Sequence, residues 1–82
     1  MEITQMLDQL KVVWERNASA IAALEELPAA RGTTGVLESL RNHQTCVEDA
    51  VVALSRLARV GGKVRGRKPA WITSVENAIA GR

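Results

Sequence analysis

A chain of 82 residues, 46% apolar and carrying a net charge of +2, suffices for one small domain, whose modest core normally needs a staple or a partner. The single cysteine, Cys46, excludes an intrachain disulfide and a four-cysteine metal site, and no apolar stretch approaches the ~20 residues of a membrane-spanning helix. Tyr and Phe are absent and both aromatics are Trp, which argues against a base-stacking surface for single strands or RNA.

The opening residues, Met1-Glu2-Ile3-Thr4-Gln5, lack a cationic region followed by an apolar run, so they do not read as a secretory signal and a cytoplasmic protein is expected. From there Ile3, Leu7, Leu10, Trp14, Asn17, Ile21 and Leu24 alternate at steps of four and three. That 3.5-residue period keeps one seam on one side of a helix. A first helix is expected over about residues 2–27, stopped by Pro28, which disfavours helical geometry in the residue before it. Residues 28–35 (Pro-Ala-Ala-Arg-Gly-Thr-Thr-Gly) read as a loop.

The second helix is expected over about residues 35–60, capped by Thr34 or Gly35, with Glu38 near its positive end and Gly61-Gly62 supplying a left-handed stop. Its seam is Leu37, Leu40, Gln44, Val47, Val51, Leu54 and Ala58. The two helices form an internal repeat at an offset of 30: Leu7, Leu10, Ala20, Ala23, Leu24, Leu27 and Gly32 lie over Leu37, Leu40, Ala50, Ala53, Leu54, Leu57 and Gly62. Duplication and convergence on one packing demand both account for it.

A short loop makes long helices antiparallel neighbours. The expected layers are Leu24 with Leu40, Ile21 with Gln44, Asn17 with Val47, Trp14 with Val51, and Leu10 with Leu54. Asn17 and Gln44 are polar seam positions, which either fix register or sit at the seam's edge with their amides in water. The fold expected is all-α: an antiparallel two-helix coiled-coil hairpin over residues 1–60, for oligomerisation, then a basic turn and short helix over residues 61–82. A hairpin buries one side of each helix, so a homodimer closing into a four-helix bundle is expected.

Catalytic constellations are missing. His43 and Cys46 are three apart on the second helix, half a metal site at best. Glu25-Glu26 and Glu48-Asp49 are helix neighbours that point in different directions. Gly61-Gly62-Lys63 lacks the upstream glycine and following Ser/Thr of a phosphate loop, and Ser39, Ser55 and Ser74 have no base at recognisable spacing. No enzyme activity, metal, cofactor or small-molecule substrate is expected.

Charge divides sharply along the chain. Residues 1–58 carry five Lys/Arg against eight Asp/Glu, a net of −3, whereas residues 59–82 carry six against Glu76 alone, a net of +5. A mildly acidic body with a basic end suggests a polyanionic partner. The centre of that end is Lys63-Val64-Arg65-Gly66-Arg67-Lys68-Pro69-Ala70-Trp71-Ile72. Gly66 allows the backbone between two arginines to approach a surface closely. The DNA minor groove is about 6 Å wide, and narrower and more negative over A·T tracts. Weakly hydrated guanidinium groups enter it at low cost.

This stretch resembles the AT-hook, whose core is Arg-Gly-Arg-Pro, except that Lys68 stands between Arg67 and Pro69. It resembles more closely the loop of the H-NS-like nucleoid proteins, in which Gly-Arg-x-Pro follows an Arg or Gln and leads into a short helix. The resemblance implies A·T-rich minor-groove binding, with Arg65, Gly66 and Arg67 inserted and Lys68 on phosphate, and a coiled-coil oligomerisation region ahead of the binding module. It covers roughly an eighth of the chain. The family's strand pair and Thr-Trp-Thr-Gly lead-in are replaced by Gly61-Gly62-Lys63-Val64, so its complete module cannot be present.

After the turn, Pro69 suits a first helical position, and Trp71, Ile72, Val75 and Ile79 recur at helical spacing, predicting a third helix over about 69–80. Thr73 with Glu76 offers a rival start. The expected DNA-binding residues are Lys63, Arg65, Gly66, Arg67 and Lys68, in a nucleoid-associated or transcription-regulatory protein. The alternative is a non-catalytic assembly module in which the hairpin, or Trp71, recognises a protein.

Overall fold

The computed structural model describes residues 2–28, 31–60 and 68–81. They form three helices, α1 (Ile3–Glu25), α2 (Arg31–Val60) and α3 (Ala70–Ala80), with no strand among them. Glu2 begins α1, its backbone N–H donating to Gln5 Oε1 at 3.4 Å and its carbonyl accepting from Met6. α1 ends two residues short of expectation, and Leu27 N–H turns back to the Leu24 carbonyl at 3.1 Å ahead of Pro28.

The second helix departs most from expectation. It starts at Arg31, so Gly32, Thr33, Thr34 and Gly35 are helical and not loop, and neither Thr34 nor Gly35 is a cap. Each glycine costs about 0.8–1 kcal/mol relative to Ala in a helix interior. Propagation from the long amphipathic run beyond them adds a hydrogen bond per residue fixed and overrides that local preference. The far end matches, at Val60; the proposed Gly61-Gly62 stop lies outside the described residues.

The early start of α2 shifts the pairing. With the bend nearer residue 28, each α1 residue meets a lower-numbered part of α2. Asn17 Nδ2 lies 3.0 Å from His43 Nδ1, a full turn before Val47. Trp14 Nε1 donates to Glu48 Oε2 at 3.0 Å, and Gln44 Nε2 donates to the Trp14 carbonyl at 2.9 Å. Gln44 is therefore not an edge residue: it is buried, 9% exposed, and its Oε1 has no hydrogen-bond partner among the described residues. Asn17 is half-buried.

The core is Leu7 of α1, Val47 and Val51 of α2, and Ile72 and Val75 of α3, flanked by Ile3, Leu10, Val13, Trp14, Leu54 and Trp71. Val51 and Val75 are fully buried. An isolated 11-residue helix is marginal in water. α3 persists by docking its Trp71–Ile72–Val75–Ile79 side on the hairpin, at the end away from the α1–α2 bend. It is about 16 Å long at 1.5 Å per residue, against a longest molecular dimension of 48 Å. It covers only part of the hairpin.

Candidate nucleic-acid interface

The two ends of segment 61–67 are set by α2, which stops at Val60, and by Lys68-Pro69, which leads into α3. Lys63, Arg65, Gly66 and Arg67 fall within that segment and lie outside the described residues. Pro69 sits just outside α3, not in its first turn: with φ −56° and ψ 144° it is the cap, and its carbonyl accepts from Ile72 N–H at 3.1 Å and Thr73 N–H at 3.4 Å. The rival start at Thr73 is not used. Proline's fixed φ and missing N–H make the turn into the helix abrupt.

Lys68 is the one expected contact residue that is described. Its Nζ lies 2.7 Å from Glu76 Oε1 and 3.0 Å from Oε2, a two-oxygen grip from a carboxylate two helical turns further on. Both side chains keep contact with solvent, at 28% and 38% exposure. Exposed Arg59, on the last turn of α2, adds a second cation. Between them lies a cleft of about 260 Å³, floored by Leu7, Ala58 and Ile72 and bordered by Asp8, Arg59 and Lys68. Trp71 lines it and is half-buried, so the ring anchors the start of α3 on the end of the hairpin.

This end of the molecule thus presents cations on a docked scaffold. Cations so placed neutralise phosphates and release counterions; they supply affinity without sequence preference. His43 and Cys46, the weak metal candidate, do not form a cluster: His43 pairs with Asn17, Cys46 is an exposed thiol, and no group of three His, Cys, Asp or Glu placed to hold a metal occurs among the described residues. Ser74 Oγ donates to the Ala70 carbonyl at 3.2 Å. No described helix is long and apolar enough to cross a membrane.

Sequence reasoning missed four side-chain pairs: Lys68–Glu76, Trp14–Glu48, Asn17–His43 and Glu25–Arg41. Glu76 as the partner of Lys68 had a signal, because it is the only acid in residues 59–82. The Trp14–Glu48 bond had none, since it joins residues 34 apart whose meeting depends on the helix register. No family model matches the chain, and neither a curated protein nor a solved structure is significantly similar to it.

Proposed function

We propose that the protein is a small DNA-associated regulator or nucleoid-type protein that binds A·T-rich duplex. Arg65 and Arg67 enter the minor groove from either side of Gly66, and Lys63 and Lys68 lie on phosphate. The hairpin pairs with a second copy, each dimer presenting two basic turns. The observation that carries the reading is the concentration of net +5 in residues 59–82 against −3 in the rest. Docking of α3 supports it, because an anchored Pro69–Trp71 limits the entropy that binding must remove from one end of the basic segment.

Titration of A·T-rich and G·C-rich duplexes at low and physiological salt tests it. With about four cations per chain on phosphate, log affinity should fall against log salt with a slope near −3 to −4 per chain. Changing Arg65 and Arg67 together to Ala should abolish A·T preference and most affinity while helix content stays unchanged. A double variant that binds A·T-rich duplex like the parent places the site elsewhere. No binding at low salt leaves the assembly-module reading in its place, and equal affinity for both duplexes leaves only charge attraction.

A further inference from the structure

The fully buried apolar residues of the seam are confined to one half of the hairpin, and the other half is covered less. Leu7, Val47, Val51 and Ala58 are buried where α3 lies. Ile21, Leu24, Leu37 and Leu40, the seam positions towards the bend, are half-buried, none of them fully, and Leu27 and Val36 beside them are 54% and 52% exposed. We propose that this bend-proximal half is the interface for a second copy of the chain, packed face to face about a twofold axis. The proposal deepens the pairing invoked above by locating it, and it stands without DNA.

Three observations point to a second copy as the occupant. The first is the internal repeat. Exchanging α1 for α2 in an antiparallel hairpin is a half-turn about an axis normal to the pair, which carries the half covered by α3 onto the open half. Leu7 and Leu10 of the covered half map onto Leu37 and Leu40, and Val51 and Leu54 onto Ile21 and Leu24. The bend-proximal half therefore repeats four of the apolar positions that receive α3, while Ile3, Val13, Trp14 and Val47 map onto Thr33, His43, Gln44 and Asn17, which leaves a narrower apolar strip edged by polar groups. The second is charge. Exposed Glu25 and Arg41 pair at 3.4 Å on this half. A surface mixing both signs is self-compatible under a twofold, whereas a polyanion or a strongly basic partner would meet like charge. The third is area. Two packed helices are about 20 Å across, so half of the 48 Å length gives a face on the order of 500 Å², or about 1,000 Å² for a pair, the size of a weak interface. A dissociable dimer is the expected result.

Sedimentation equilibrium of the full chain, free of nucleic acid, tests the interface. The parent should show a monomer–dimer equilibrium. The double variant Leu27→Glu with Val36→Glu, both positions more than half exposed so that folding is not at stake, should raise the dissociation constant about tenfold or more, with unchanged helix content. Leu57→Glu is the control: Leu57 is the repeat mate of Leu27, lies in the half that α3 covers, and is 56% exposed. It should leave the constant within about twofold. A parent that stays monomeric at about 500 µM overturns the proposal; so does a Leu57→Glu effect as large as that of the double variant. A dimer that ignores every duplex sinks the DNA reading and leaves this one standing, and a monomer that binds duplex does the reverse.

Discussion

Lys68 belongs to two electrostatic arrangements at once. It extends the cationic run from Lys63, yet its ammonium is held by both oxygens of Glu76. A pair that keeps this much solvent contact is worth about 0–1 kcal/mol, so a phosphate can compete for the lysine. Glu76→Gln should leave stability within about 1 kcal/mol. It should also raise duplex affinity, by about two- to fivefold at low salt, with the gain shrinking as salt screens it. Fluorescence anisotropy on a labelled duplex measures this, and an unchanged affinity at low salt would remove Lys68 from the contact set. Elsewhere, residue-level reading from sequence had physical limits. Gln44 was visible as a polar seam position, but only the register decides that its Nε2 meets the Trp14 carbonyl. The same holds for Glu48, one carboxylate of the Glu48-Asp49 pair, which proves to be buried, at 6% exposure, and bonded to an indole.

Among the elements, α1 and α3 were legible because period and proline act locally: the helical spacing, Pro28 and Pro69 mark them to within two residues. The start of α2 was not legible, because Gly32, Thr33, Thr34 and Gly35 favour a loop when judged alone, and the hydrogen-bond ladder that overrides them propagates from the amphipathic run beyond Gly35. The two helical glycines leave a removable weakness. A methyl group added at Gly32 or Gly35 meets no described atom within 4 Å beyond its chain neighbours and its own helix backbone. Gly32→Ala with Gly35→Ala should stabilise the protein by about 1–2 kcal/mol together and raise Tm by roughly 5–15 °C. Thermal unfolding followed by circular dichroism reads this directly. A lower Tm would mean that these residues are not helical in solution. Around Lys68 the same division holds: the charge contrast is a matter of composition, while the Glu76 grip and the cleft beside Lys68 needed α3 to be docked.

For the whole molecule, the decisive dimension is lengthwise. α3 and the bracketing ends of the basic segment lie at one extremity of a body 48 Å long, and the open seam lies towards the other. Two copies overlapping by their open halves would span about 70 Å, which is close to two turns of B-form duplex at 34–36 Å each. The two basic turns would then address the same side of the double helix. Paired A·T tracts centred about 21 base pairs apart should therefore bind more tightly than either tract alone, through linked engagement. Insertion of about five base pairs between them should cancel the gain by rotating one tract to the opposite side; a spacing series in a gel-shift titration would display this as an oscillation. The reach of α3, too short to close the groove it begins to fill, would in that way become a ruler set to the helical phase of DNA.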